Sequence, residues 1–192
     1  MRPLFYSILW GLVFLLMAFT VVLGYQCVFG ENLQIYDCAL TDPETQIYDG
    51  DTLKDVRVLV HRHDFIPEAY GTPWPGVYIT ERGIEIETDI RIAGIDTPEK
   101  RTSTKNKDGT PRSEESRQRE KAAAAASRQA LIDLLKTNDN RFSISDPQHG
   151  KYAGRTVANV AIREIDVATT LIRLGHAKPY FGGTKPQWNW GD

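Results

Sequence analysis

Three short stretches hold the residue types best suited to chemistry. Arg91-Ile92-Ala93-Gly94-Ile95-Asp96-Thr97-Pro98-Glu99 runs from an alternating apolar strand into a tight turn and delivers one guanidinium and two carboxylates. Upstream, Tyr48-Asp49-Gly50-Asp51-Thr52 forms a second acidic turn. Downstream, Lys151-Tyr152-Ala153-Gly154-Arg155 adds another guanidinium and an aromatic ring. Carboxylates gather a hard cation, and guanidiniums grip a phosphate through their planar fork. Each stretch also has a plainer reading. Asp-Gly and Asp-Thr-Pro are ordinary turn residues, Arg91 suits a solvated strand face, and Arg155 suits a strand end. His61, His63, His149 and His176 have no ligand spacing to a partner and read as surface or satisfied polar residues.

The charge distribution favours the chemical reading only in part. The 192 residues carry a net charge of −2. Residues 29–99 hold 15 acidic and 5 basic side chains, whereas residues 100–128 hold 9 basic and 4 acidic. An acidic segment able to hold a cation beside a basic one able to attract polyanions fits metal-assisted work on phosphates. Scattered surface charge would read the same way.

The elements that must position these residues follow from the chain in order. Leu4 to Leu23 is an uncharged run of 20 residues behind Met1, Arg2 and Pro3, long enough at about 1.5 Å per residue to cross a bilayer core. The exit Gly24-Tyr25-Gln26-Cys27 offers no small-x-small cleavage site. The expected reading is therefore a transmembrane signal anchor over residues 4–24. Residues 1–3 lie in the cytoplasm and the domain on the periplasmic or extracellular face, by the positive-inside rule. A cleaved signal, giving a secreted protein, is the alternative. Cys27 and Cys38 could pair in an oxidising compartment or stay as thiols.

Residues 25–39 read as a linker. Gln46-Ile47-Tyr48 and Leu53 to Val60 read as strands around the first acidic turn. Residues 64–83, with three prolines and three glycines, read as a long loop or insertion. Gly83 to Ile95 alternates well, with a slip near Asp89 that predicts a bulge or break. Lys100 to Pro111 reads as a polar loop. Ser113 to Lys136 is the best helix, N-capped by Ser113, with Ala123, Ala126, Ala130, Leu131, Leu134 and Leu135 on the packing face. Two further strands follow, at Arg141–Ser145 and Thr156–Arg163. A shorter helix starts at Asp166 and is stopped by Gly175. Residues 182–192 read as a Gly-, Pro- and Trp-rich tail. This order is α+β, and five short strands around a central helix suit a small closed barrel of the OB type.

The Asp49-Gly50-Asp51-Thr52 turn, the Arg91 to Glu99 stretch, the Lys151 to Arg155 stretch and Leu171-Ile172-Arg173-Leu174-Gly175-His176-Ala177-Lys178 stand in one order. In that order they resemble the thermonuclease family, the staphylococcal-nuclease-like enzymes, over residues 40–181. The resemblance implies an OB-fold five-stranded β-barrel with packed helices. It also implies calcium-dependent hydrolysis of phosphodiester bonds in DNA or RNA with low sequence specificity. It implies Asp51, Asp96 and the Thr97 carbonyl as calcium ligands, Glu99 as general base, and Arg91 with Arg155 on the phosphate. Lys151 and Tyr152 would contact a terminal phosphate of the bound nucleotide. Ala153 is an extra residue relative to the family pattern and bears on how Arg155 is turned. Tyr152, Tyr180 and Phe181 are candidates for stacking on bases, with core packing the alternative for Tyr180 and Phe181. The expected partners are DNA or RNA as substrate and the membrane through the N-terminal helix, with a monomeric domain. A catalytically inactive OB module that binds nucleic acid at the cell envelope is the alternative function.

Overall fold

The computed structural model describes residues 34–62, 71–106, 109–151 and 154–191. The apolar run at residues 4–24 and Cys27 lie outside the described residues, as do His63, Tyr152 and Ala153. Among the described residues, no helix is long and apolar enough to cross a membrane.

The chain folds in the order β1 (Ile35–Ala39), α1 (Pro43–Gln46), β2 (Ile47–Asp49), β3 (Thr52–Arg62), β4 (Gly71–Trp74), β5 (Val77–Thr80), β6 (Gly83–Ile92) and β7 (Ile95–Asp96). After these come α2 (Glu114–Lys136), β8 (Arg141–His149), β9 (Arg155–Ile162), β10 (Ile165–Asp166), α3 (Val167–Arg173) and β11 (Lys178–Pro179). Strands β9, β8, β1, β3 and β6 pair in that order, and a parallel β6–β9 pairing closes them into a five-stranded barrel. The other pairings around the ring are antiparallel. Alternation sends Leu53, Val56 and Val58 of β3, Ile90 and Ile92 of β6, and Ala158, Val160 and Ile162 of β9 inward, all buried. Leu131, Ile132 and Leu135 of α2 and Val167 and Leu171 of α3 complete the core. Each large apolar side chain so buried contributes about 1.5–3 kcal/mol.

Several expectations are corrected. The stretch read as a linker up to residue 39 ends in β1, a barrel strand paired on both sides. The region read as a loop at 64–83 contains, from Gly71, the hairpin β4–β5, which extends the sheet beyond β6. Pro73 sits on exposed strand β4, where no central ladder bond is needed. The slip near Asp89 does not interrupt β6. The extra residue is on the partner instead, where Leu53 faces Ile90 and Val56 faces Thr88. Asp55 takes up the bulge at φ 49°, and its N–H is received by the Asp89 carboxylate at 3.1 Å.

The long helix begins at Ser113, whose hydroxyl accepts the Ser116 N–H at 3.0 Å. Its buried stripe runs through Ser116, Glu120, Ala124, Ser127, Leu131, Ile132 and Leu135, while Ala126 is exposed. Five consecutive alanines carry no periodicity, and polar residues occupy part of the buried face, so the phase of the stripe is hidden. Asp166 caps α3, accepting the Thr169 N–H at 2.6 Å, and Gly175 follows it at φ 77°. Cys38 is a free thiol buried in the core, and burial, helped by the Asp37 charge, pushes its pKa up to about 12.

Candidate active site

The two acidic turns meet because of one strand register. Thr52 of β3 faces Arg91 of β6, which puts Asp51, one residue before Thr52, beside the Arg91 side chain. Arg91 Nη1 donates to Asp51 Oδ1 at 3.1 Å, and Nη2 lies 2.9 Å from Asp51 Oδ2 and 3.5 Å from Asp96 Oδ1. One guanidinium thus holds together carboxylates from two separate turns, each 2% exposed. The Thr97 N–H and the Thr52 hydroxyl also donate to Asp51, at 3.2 and 3.0 Å. Thr97 is itself buried.

Close approach of the first turn requires Gly50. A Cβ there would lie 2.7 Å from the Ser127 Cβ on α2 and 3.0 Å from the Thr97 Cγ2. The second turn is fixed by β11, where Lys178 faces Asp96 and the Tyr180 N–H reaches the Gly94 carbonyl at 2.8 Å. Burial and the neighbouring Asp49 carboxylate push the Asp51 carboxyl up from 3.8 to about 7, with Arg91 pulling the other way.

Glu99 is half exposed at the rim of this centre. It is reached by Lys185, a residue of the tail that showed no functional signal in the sequence. The Lys185 ammonium pairs with Glu99 and lies 3.1 Å from Asp96 Oδ1. Burial works against its charge, but the bonds to Glu99 and Asp96 outweigh that and raise its pKa. Trp188 Nε1 donates to Asp96 Oδ2 at 3.3 Å. The Trp188 ring stacks on Trp190 at 5.6 Å, and Lys178 Nζ sits 4.7 Å from the Trp188 ring centre. The tail therefore straps the acidic centre, and its outward mark in the sequence is the alternation Trp188-Asn189-Trp190. A cavity of about 670 Å³ lies between the strap, Asp96, Thr97 and Glu99 on one side and Ser103, Lys105, Asn106, Thr110 and Arg112 on the other.

Arg155 opens β9, where it faces Asp89 across the parallel pairing, and Val157 faces Arg91. By strand alternation Arg155 and Arg91 project to the same side of this pair, away from buried Ile90, Ile92 and Ala158. Lys151 is exposed on the β8–β9 connection, and its neighbour Tyr152 lies outside the described residues. Tyr180 directs its hydroxyl to the Gly183 carbonyl at 3.1 Å, and Phe181 is 90% exposed. His61 falls near the end of β3 and His149 at the end of β8. His176 serves through its backbone carbonyl, which accepts the Ser127 hydroxyl at 2.7 Å.

Among the described residues no cluster of three or more His, Cys, Asp or Glu is arranged to hold a metal ion. The donor chemistry nonetheless fits a hard cation. Two buried carboxylates share one guanidinium, and an ammonium bridges Asp96 to Glu99, marking a spot where positive charge is stabilised by oxygen ligands.

A closed five-stranded barrel with packed helices, carrying buried acidic turns and arginines on its rim, defines an OB-type α+β protein. A family model described as staphylococcal nuclease homologue matches residues 89–189, over half of the chain, and the chain belongs to that family. The matched span starts on β6, downstream of Asp51, and runs through Lys185 and Trp188, beyond where the motifs alone placed its end. No curated protein matches the chain.

Proposed function

We propose that this protein is a calcium-dependent nuclease that hydrolyses phosphodiester bonds in DNA or RNA with low sequence specificity. The observation that carries the reading is the Arg91 guanidinium holding Asp51 and Asp96 together next to Glu99, in a chain of the staphylococcal nuclease homologue family. Asp51, Asp96 and the Thr97 carbonyl would hold the calcium ion. When bound, the ion supplies Lewis-acid polarisation of the phosphoryl oxygen.

The protein's own groups do the rest. Glu99, half exposed, can draw a proton from an attacking water. Arg91 and Arg155, on one side of the β6–β9 pair, supply forked donors to the phosphoryl oxygens as negative charge builds up. Lys151 lies on the adjoining connection, where it and Tyr152 can meet a further phosphate. The strap imposes a condition on this chemistry. Lys185 must release Asp96 and Glu99 before a cation and a water can take its place.

The test is incubation of the full-length protein with DNA and with RNA, in calcium or in chelator. Cleavage in calcium that chelator abolishes is expected, with a loss of about 10²–10³ in rate for Glu99→Gln. Intact substrate in calcium at neutral to alkaline pH would sink the proposal. A purely binding module would have no use for Glu99 as a base.

On the sequence alone, residues 4–24 tether the domain to a membrane with the barrel exported. N-terminal sequencing of the mature protein distinguishes an anchor from a cleaved signal.

A further inference from the structure

A second concentration of positive charge lies at the other end of the barrel. A cavity of about 350 Å³ is lined there by Arg62, Arg82, Arg141 and Arg163, with Asn138 and Ser143 beside them. The four arginines come from four separate segments: the end of β3, the β5–β6 turn, the start of β8 and the β9–β10 turn. Asp37 is the one carboxylate on the lining, and Glu85 reaches Arg82 at 3.6 Å. Four cations against two carboxylates is a local excess of positive charge in a chain whose net charge is −2.

The guanidiniums are steadied but not used up. Arg163 donates from Nε to Asn138 Oδ1 at 2.9 Å, and its backbone takes the left-handed region at φ 56°, unfavourable for a residue with a Cβ. Arg62 engages Asp37 through Nη2, and Arg82 engages Glu85 through Nη1. Arg141 makes no ion pair among the described residues. Each side chain keeps further N–H groups of its fork, the geometry that recognises phosphate oxygens in pairs. The cavity volume is at the low end for a ligand site and suits a phosphate with part of its sugar.

We propose that this arginine cavity is a phosphate-binding site that holds a nucleic-acid substrate by its backbone, remote from the acidic centre. The inference rests on the nuclease reading for the identity of its ligand. Strand β3 links the two places, with Thr52 beside Asp51 at one end and Arg62 at the other. At about 3.3 Å per residue the two ends are at most roughly 30 Å apart, up to about one turn of duplex, since two bulges shorten the strand. Only a substrate longer than that can engage both.

The experiment compares the full-length wild type with Arg141→Gln/Arg163→Gln. Binding of a labelled duplex of about 30 base pairs, roughly three turns, is measured in chelator across a sodium chloride series. The expected result is weaker binding and a salt slope shallower by about 2, one for each phosphate that the variant no longer neutralises. In calcium, the ratio of kcat/KM for that duplex to kcat/KM for a tetranucleotide should fall about tenfold, one order of magnitude in specificity. Inorganic pyrophosphate should compete with the duplex less effectively for the variant than for wild type. An unchanged salt slope together with an unchanged kcat/KM ratio would overturn the proposal. So would a loss of binding confined to vesicles of anionic phospholipid. If neither protein cleaves anything, the nuclease reading fails while the binding series in chelator still decides the cavity. Should the variant fail to fold, Arg62→Gln/Arg82→Gln provides the same comparison.

Discussion

At Asp51 the proposed function sets two demands against each other, since its carboxylate is buried and would have to be charged to hold a cation. Burial and Asp49 push it up to about 7, so between about pH 4 and 7 the folded protein keeps a proton that the unfolded chain releases. Stability from this group is fully present below its unfolded value and is lost as pH rises through the folded one. Asp51→Asn, neutral at every pH, should therefore exceed wild type at pH 8 in chelator by roughly 1–3 kcal/mol in thermal or denaturant unfolding, and by less at pH 5. A less stable variant at pH 8 would mean that Arg91 outweighs burial. Arg91→Ala should act in the opposite direction. It leaves Asp51 and Asp96 buried without the guanidinium they share, so about 3–5 kcal/mol of stability is lost at pH 8, and less at pH 5. Urea melts at the two pH values check both substitutions.

Among the elements, the strap formed by residues 182–191 changes the working state of the site most. The Lys185 side chain is 47% accessible, so its pairings are screened by solvent and contribute modestly. Removing it should free Asp96 and Glu99 for a cation. Lys185→Ala is expected to tighten calcium binding about two- to fivefold, the equivalent of a weak surface pair. Calorimetry measures this directly, and fluorescence of the Trp188–Trp190 stack reports the strap's movement independently of activity. Unchanged calcium affinity would show that the strap and the cation do not compete. The strap was not legible in the sequence because its contacts carry no period and span up to 92 positions, as from Asp96 to Trp188. The helix caps at Ser113 and Asp166 were legible because each is complete within three residues.

For the molecule as a whole, the proposed function would link cation binding and barrel stability through the same buried carboxylates. Calcium at about 100 times its dissociation constant should add about 2.7 kcal/mol to the folded state. Because Asp51 must give up its proton to bind, the calcium-induced rise in Tm should grow from pH 5.5 to about 7 and then level off. Thermal melts across pH with and without calcium test this, and a shift independent of pH would remove Asp51 from the ligand set. The sequence by itself determined the residue types, their order and the local signals: acidic turns, alternating strands, capped helices and the family to which they belong. Tertiary structure alone decided that Asp51 meets Asp96 across Arg91, that the bulge falls on β3 and not β6, and that 71–80 forms a hairpin. It alone put Lys185 on the acidic centre and gathered four arginines at the far end. The physical reason is range. Turn and cap preferences act over a few residues, whereas these contacts join distant positions and exist only after the β6–β9 pairing closes the barrel and fixes every register at once.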